Sequence, residues 1–205
     1  MARARGPLPG GAREVWSLSS FHWRGRAALK EHESAVQEDP LNLMLRSILA
    51  FALMAVGRHA DAATECRRIL ELNENFQPGH FYLSLSYLER GNIQAALAPA
   101  EKAYALAPWV RASSGYVAGL LKLTGDASRA EAVLDKLGDG SAYGAPFGFV
   151  YYYLVGSDIE QAAHWAEKAI EQRDPTVRFL PLHPLAKDLR RSSRWPALAK
   201  MMNLP

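Results

Sequence analysis

Cysteine is almost absent from this chain, whose 205 residues include a single Cys. One Cys excludes a disulfide framework and a Cys-rich zinc site, and it makes a reducing cytoplasm the default compartment. Long apolar runs are also absent, because the longest, Ile48 to Gly57, has about half of the roughly 20 residues that a spanning helix requires. The N-terminus contains Arg but lacks the apolar core of a secretory signal. We therefore expect a cytoplasmic protein without a membrane-spanning segment.

Neither sign of charge is in large excess, since 24 Lys and Arg face 21 Asp and Glu, for a net charge of +3. Both ends of the chain are basic and the middle is acidic, unlike the one-sided basicity of typical nucleic-acid binders. A basic cluster near the C-terminus suits phosphate contacts, but a solvated capping helix explains it better because no repeated aromatic platform accompanies it. Nucleic-acid binding is therefore the weakest interpretation. The cluster consists of Lys187, Arg190, Arg191 and Arg194.

Catalytic and metal-binding patterns are missing as well. The six His residues never stand three or four positions apart, so no helix presents a metal-ligating pair. The glycine-rich stretch Gly138 to Gly144 lacks the preceding strand and the Gly-Lys-Ser/Thr of a phosphate-binding loop, and we interpret it as an inter-repeat loop. Cys66 is in phase with the apolar face of its predicted helix, which favours a buried residue over a nucleophile. We expect neither enzymatic activity nor a cofactor.

The chain repeats itself every 34 residues. A fifth copy follows a contraction of two residues, which the stretch Gly138 to Gly144 absorbs, and it brings Ala162 into register. Internal repeats of this length are typical of solenoids, in which each unit packs on the next. The registers are Gly57, Gly91 and Gly125; Ala28, Ala62, Ala96 and Ala130; and Ala50, Ser84 and Ala118.

Each repeat predicts a pair of antiparallel helices. Apolar residues at helical spacing from Leu45 to Leu53 predict a first helix, which Gly57 closes because glycine adopts the left-handed cap conformation without penalty. Small residues such as Ala50 and Ala62 let the paired helices approach closely. Helix-capping residues and prolines mark where second helices begin and end. These are Asn92 and Asp158 at the beginnings, and Pro40, Pro108 and Pro175 at the ends.

This pattern resembles the tetratricopeptide repeat. That family has a small residue in the first helix, a Gly before the turn, two Ala seven residues apart in the second helix, and a Pro five residues later. Two copies depart from it, with Ile69 and Glu74 in one and Leu137 in the other. The resemblance implies an all-α fold, a right-handed superhelix of about five helix pairs of which the first is incomplete. The matching slots hold Ala28, Ala35 and Pro40; Ala96, Ala103 and Pro108; and Ala162 and Ala169.

We divide the chain into a flexible tail (1–14), a repeat array (15–175) and a C-terminal capping segment (176–205). Pro175, Pro181 and Pro184 forbid a long helix at the beginning of the last of these, and we expect short helices near 185–190 and 195–202 that cover the last helix pair. The segment is similar to the closing element of tetratricopeptide arrays in bacterial multidomain regulators, which implies a bacterial protein. The similarity rests on Arg173-Asp174-Pro175, Leu189-Arg190 and Leu204-Pro205.

The candidate binding surface is the second apolar face of the first helices, which line the concave side of such an array. Two successive residues of an α-helix advance by about 200° around its axis. A side chain two positions from one that faces the partner helix therefore lies on the opposite face. Midway along this surface, we expect Gly115 and Gly119 to leave space for a ligand and Lys122 to add one positive charge. Chaperone-binding members clamp a carboxylate with Lys and Asn in these slots, and this chain departs from that pattern. The predicted groove residues are Ser47, Phe51, Met54, Phe81, Leu85, Lys122, Tyr151 and Leu154.

These observations predict a non-enzymatic protein-interaction module that binds an apolar peptide or helix in the groove. The partner segment belongs to another protein, to a second copy of the chain, or to a domain outside it. One alternative is the regulatory portion of a larger bacterial signalling enzyme or transcriptional regulator. A second alternative is that neighbouring repeats bury the groove residues, which are then core residues.

Overall fold

The structure, a computed structural model, describes residues 29–204. This part of the chain contains α-helices, short 3₁₀ helices and turns, and no β-strand. None of the helices in that range is both long enough and apolar enough to cross a membrane. Helix α1 covers residues 29–38. The other α-helices are α2 (Leu43–Ala55), α3 (His59–Leu72), α4 (Gln77–Glu89), α5 (Ile93–Leu106), α6 (Arg111–Leu123), α7 (Ala127–Leu134), α8 (Ala145–Val155), α9 (Ile159–Glu171), α10 (Lys187–Arg191) and α11 (Trp195–Met201).

The helices pack as successive pairs, α2 with α3, α4 with α5, α6 with α7, and α8 with α9. Successive pairs are joined by contacts of α3 with α4, α5 with α6, and α6 with α8. Because each pair contacts mainly its neighbours, the array is a solenoid. The predicted all-α solenoid is thus confirmed. The predicted flexible tail and the first helix of the incomplete pair lie outside the described residues.

Tight turns join the two helices of each pair. Gly57, Gly91 and Gly125 adopt positive φ angles of 83°, 75° and 91°, in which glycine has no Cβ penalty. This confirms the prediction that they close the first helices. The fourth turn differs, because Gly156 has a φ of −77° and Ser157 takes the positive value of 58°.

Side-chain caps begin three of the second helices, two of them at predicted positions. The carboxylate or amide oxygen of each cap residue accepts a hydrogen bond from the backbone N–H three residues later, at 3.1 Å. Such a bond satisfies one of the donors that a helix start leaves free. The cap residues are Asn92, Asp126 and Asp158.

Small residues line the contact between paired helices, as the register predicts. Ala62, Ala96, Ala130 and Ala162 are all buried in the second helices. Opposite Ala96, the hydroxyl of Ser84 donates a hydrogen bond to the Ala96 carbonyl oxygen at 2.6 Å. The repeated small side chains therefore hold the two backbones close together, and larger ones would overpack the contact.

Cys66 occupies the second-helix slot that Ala100 and Ala166 fill in later repeats, and all three are buried. Burial raises the pKa of the Cys66 thiol to about 12. A thiol with such a pKa stays protonated at neutral pH and does not act as a nucleophile. The interpretation of Cys66 as a small apolar core residue is confirmed.

Helices α6 and α8 approach each other closely through glycine. A Cβ atom built on Gly115 would lie 1.7 Å from the carbonyl oxygen of Gly148. One built on Gly119 would lie 2.7 Å from the Cβ of Val155. Both distances are far below van der Waals contact, so the two backbones can pack this way only because these positions lack a side chain. The expectation that Gly115 and Gly119 leave room in the groove is wrong, because α8 fills that space.

The residues after α9 form two 3₁₀ turns, Pro175–Phe179 and Pro184–Ala186, followed by α10 and α11. The two short helices lie close to their predicted positions. Helix α11 packs on α9, and the Arg194 guanidinium forms ion pairs of 2.7 Å with Glu160 and Glu167 of that helix. This part of the chain therefore covers the last helix pair, as a solenoid end requires.

Replacing Gly115 with Ala should destabilise the protein by about 1–3 kcal/mol, because the new methyl group would overlap the Gly148 carbonyl. A backbone atom cannot rotate away as a side chain can, so α6 and α8 would have to separate. Urea unfolding followed by circular dichroism measures the change. Gly156→Ala is the matched control, since a Cβ there would meet its nearest atoms at 3.6 and 3.7 Å. Equal stabilities of the two variants would contradict the close α6–α8 contact.

Candidate peptide-binding groove

A row of aromatic rings crosses the first helices from α2 to α8. Phe51 of α2 lies 5.9 Å from Tyr82 of α4, measured between ring centroids. Phe81 of α4 lies 5.1 Å from Tyr116 of α6 and 5.8 Å from Tyr151 of α8. Ring pairs at these distances contribute about 0.5–1.5 kcal/mol each beyond the area they bury. We call these five residues the aromatic row.

The chain's own C-terminal part lies against the aromatic row. The ring of Phe179 meets Phe51 edge-on, with centroids 6.2 Å apart. The His183 imidazole lies 6.1 Å from Phe51 and 5.0 Å from Tyr151, so it bridges α2 and α8. Leu180 and His183 are buried, with 1% and 4% of their surface exposed. We call residues 175–190 the closing segment, because they cover the aromatic row at these points.

The closing segment does not fill the groove completely. A cavity of about 470 Å³ separates it from the end of α2 and the following turn. Several residues at its edge are exposed, so the cavity opens to solvent and the closing segment packs against α2 along only part of its length. The apolar walls are Met54 and Val56 on one side and Pro181, Leu182 and Pro184 on the other. The charged and titratable residues at the cavity include His59, Glu89, Lys187 and Arg190.

Arg190 connects the last turn of the closing segment with earlier residues of the same segment, and it lies at the same cavity as Glu89 of α4. Its Nη1 donates hydrogen bonds to the carbonyl oxygens of His183 at 2.7 Å and Leu180 at 3.4 Å. Burial lowers the pKa of Arg190. Burial also raises the pKa of the nearby Glu89 carboxyl, and the positive charges of Lys187 and Arg190 act in the opposite direction. The closing segment therefore brings two cations towards one partly buried carboxyl group.

His183 is poorly satisfied where it lies. Neither of its ring nitrogens has a hydrogen-bond partner within residues 29–204, although the side chain is buried. Burial, together with the charge of Arg190, lowers the pKa of the imidazole to about 3. A buried polar group without partners costs about 1–3 kcal/mol. The apolar contacts of the closing segment must offset this cost.

Six of the eight predicted groove residues are buried, and Phe51 is half-buried. Lys122 is exposed at the end of α6, with its ammonium 5.3 Å from the ring centroid of Tyr152. The groove is therefore closed in this structure. Whether these residues bind a partner stays a prediction. The six buried residues are Ser47, Met54, Phe81, Leu85, Tyr151 and Leu154.

Two different parts of the chain cover the groove residues. Phe81 contacts Tyr116 and Tyr151 on neighbouring first helices, which fits the alternative that it is a core residue. Phe51 instead contacts Phe179 and His183 of the closing segment, in addition to Tyr82. Within the described residues, the closing segment thus covers the α2 end of the aromatic row, and neighbouring first helices cover Phe81.

Sequence reasoning misses the course of the closing segment and the groove role of Tyr82 and Tyr116. It predicts a segment that covers the last helix pair, whereas residues Phe179 and His183 reach back to α2. The available signal is composition, since apolar residues interrupted by three prolines have no helical periodicity and suit a segment held by tertiary contacts.

The order and packing of the helix pairs have a counterpart among solved structures. The crystal structure of MamA, a helical repeat protein of the tetratricopeptide type, matches with a TM-score of 0.52 and 16% sequence identity, over 79% of this chain and 98% of that chain. The chain has a tetratricopeptide-type repeat fold. At this identity the likeness shows the fold alone. No protein-family model matches the chain, and no curated protein sequence matches it.

The groove of this tetratricopeptide-type fold offers ring edges, apolar walls and a few charges. Within residues 29–204, no group of three or more His, Cys, Asp or Glu side chains is placed to hold a metal ion. The arrangement suits the recognition of a polypeptide segment, because aromatic surfaces bind apolar side chains with little loss of conformational entropy.

Lowering the pH should destabilise the folded protein through His183. Its imidazole has a pKa of about 3 in the fold against an ordinary 6.5, so the unfolded chain takes up the proton first as the pH falls. The stability that depends on the neutral ring is complete above about pH 6.5 and falls by up to about 1.4 kcal/mol per pH unit towards pH 3. Urea unfolding at pH 7 and pH 5 measures this loss, and His183→Leu should reduce it.

Other groups near the closing segment also titrate, so the variants must be compared at each pH. Glu89 has a pKa raised by burial, and His59 has a pKa lowered by burial. His164→Gln, which removes an exposed imidazole from α9, controls for the loss of a His residue. If wild type and His183→Leu lose the same stability between the two pH values, the pH dependence does not come from His183.

Proposed function

We propose that this protein is a non-enzymatic interaction module that binds a short apolar segment of a protein partner in the groove of its first helices. One observation carries the proposal: the groove already holds a non-helical stretch of polypeptide, through ring contacts with Phe51 and Tyr151. A surface shaped for one such segment can receive another. The tetratricopeptide-type fold supports an interaction role.

In this proposal the two ends of the groove hold apolar anchors of the partner. Phe51 and Met54 receive one anchor at the α2 end, and Tyr151 and Leu154 receive another at the α8 end. Ser47, Phe81 and Leu85 shape the floor between them. These residues belong to successive first helices, so one extended segment spans them.

Lys122 adds a positive charge at an exposed position of α6. The neighbouring Tyr152 side chain raises the pKa of the ammonium, so the group is charged at neutral pH. The proposal gives it an acidic side chain of the partner as its ligand. Because the ammonium is exposed, such a contact contributes less than the apolar anchors and weakens with salt.

The partner is a protein, and a second copy of the chain fulfils the same role if its own apolar segment enters the groove. The single Cys is buried, which suits a reducing compartment, and we propose a cytoplasmic setting on that basis.

Phe51→Ala should weaken partner binding by about 2 kcal/mol, or about 30-fold in Kd, because a ring at the centre of a desolvated contact is a binding hot spot. Capture with the tagged full chain followed by mass spectrometry identifies the partner, and calorimetric titration of the purified pair gives the Kd. The helical circular dichroism signal should remain, since Phe51 is half-buried and not fully enclosed.

Trp109→Ala provides the matched control. It also removes a large ring, but Trp109 is 73% exposed in the turn between α5 and α6. Binding should stay within about twofold of wild type, as expected for a surface position outside the contact. Equal losses in the two variants, or an unchanged Kd in Phe51→Ala, would exclude binding through this groove.

A further inference from the structure

The closing segment occupies the site where the proposed partner would bind. Phe179 and His183 contact Phe51, and His183 also contacts Tyr151. Pro181 and Leu182 face Met54 across the cavity. An external segment and the closing segment therefore cannot contact these residues at the same time. Binding of a partner requires that the closing segment leave.

We propose that residues 175–190 are an internal competitor for the groove, displaced by a partner segment of the same chemistry: a short, proline-containing apolar stretch followed by basic residues. This inference rests on the proposed function, and it adds both the regulation of the groove and the class of its ligand.

The backbone of the closing segment is suited to displacement, because its hydrogen bonds are local. The N–H groups of Leu180, Leu182 and His183 donate to the carbonyls of Val177, Phe179 and Leu180, each three residues earlier. These bonds persist when the segment moves as a unit. Within the described residues, its ring contacts with α2 and α8 are made by side chains, so leaving the groove does not break a backbone ladder.

Two features make the bound state of the closing segment weaker than that of a well-fitted ligand. The ring nitrogens of His183 are buried without partners among residues 29–204, and a competing segment with an apolar residue there would avoid this cost. The cavity of about 470 Å³ beside Pro181 and Leu182 leaves apolar walls open to solvent, and a bulkier side chain of a partner would cover them. A partner can therefore bind the same rings more favourably.

The charges at the cavity select the residues that come after the apolar stretch of a ligand. Lys187 and Arg190 both act on the partly buried carboxyl of Glu89, so the closing segment supplies positive charge at this end of α4. Neither cation forms an ion pair with Glu89, but both line the same cavity, so a partner that displaces them without basic residues of its own takes this positive charge away from the carboxyl. This effect favours basic residues after the apolar stretch and disfavours acidic ones.

The closing segment is tethered at both ends, which keeps its local concentration high. It begins after α9, and α11 beyond it is held to α9 by the ion pairs of Arg194 with Glu160 and Glu167. A tethered segment competes with a partner as an intramolecular ligand. The apparent Kd of the partner is its intrinsic Kd divided by the fraction of molecules in which the groove is open. Weakening the closing segment must therefore strengthen external binding.

Arg190→Glu in the full chain tests this relation. The change removes the donor to the Leu180 and His183 carbonyls and places a negative charge beside Glu89, so the closing segment should leave the groove. The probe is a fluorescein-labelled synthetic peptide of residues 175–190. Its Kd, measured by fluorescence anisotropy, should be at least tenfold lower for Arg190→Glu than for wild type. Lys200→Glu is the matched control, because it reverses the charge of an exposed side chain on α11 that lies outside both the closing segment and the cavity.

Oxidation of Met54 provides a second readout that needs no ligand. Met54 lines the cavity and is 1% exposed, whereas Met44 on the same helix is 58% exposed and serves as an internal reference. Peroxide oxidation followed by mass spectrometry should show faster modification of Met54 in Arg190→Glu, and unchanged modification in Lys200→Glu. If Arg190→Glu loses helical signal, Phe179→Ala replaces it, with the exposed Tyr143→Ala as its control.

The outcomes separate the two proposals. An unchanged peptide Kd together with unchanged Met54 oxidation overturns the internal competitor, and a captured partner that still depends on Phe51 would leave the proposed function standing. Faster Met54 oxidation without peptide binding shows that the segment opens but that the groove is no peptide site, which overturns both. A peptide with Glu in place of Lys187 and Arg190 should bind Arg190→Glu at least fivefold more weakly, and equal binding would overturn the basic ligand class.

Discussion

The structure depends on one constraint, which is that the first helices are apolar on two faces and both must be covered. One face packs against the second helix of the same pair, where small residues such as Ala62 and Ala96 let the backbones approach. The other face carries the aromatic row and cannot remain open to water without an energetic cost. Neighbouring first helices cover part of it, and the closing segment covers the rest. The path of the chain after α9 follows from this need.

The neighbouring first helices and the closing segment cover the aromatic face with different quality of packing. Where α6 meets α8, glycines allow direct backbone contact and the surface is permanently part of the core. Where α2 and α8 diverge, an irregular segment with a poorly satisfied His183 and a neighbouring cavity fills the gap. The groove is therefore rigid in its middle and adjustable at the α2 end. Under the proposed function, this difference favours exchange of ligands at Phe51 over exchange at Phe81.

The repeat unit can be predicted well from the sequence, because the residues at its key positions are determined by local backbone geometry and hydrogen bonding. Gly57 at a left-handed turn and Asn92 at a helix start can be recognised from one residue and its neighbours. The groove depends on which residues meet across the array, and Gly115 shows the difficulty: a helical glycine is compatible with open space or with a close backbone contact. The path of the closing segment is harder still, since prolines exclude a helix but do not say where the chain goes.

The buried thiol of Cys66 has a consequence for the chemistry of the whole protein. It occupies a slot that alanine fills in two later repeats, and its raised pKa keeps it protonated. The folded protein therefore presents its single thiol to oxidants and alkylating reagents in a buried and protonated form, in which a thiol reacts slowly. The repeat architecture, by burying this slot between paired helices, therefore keeps the thiol of Cys66 away from solvent.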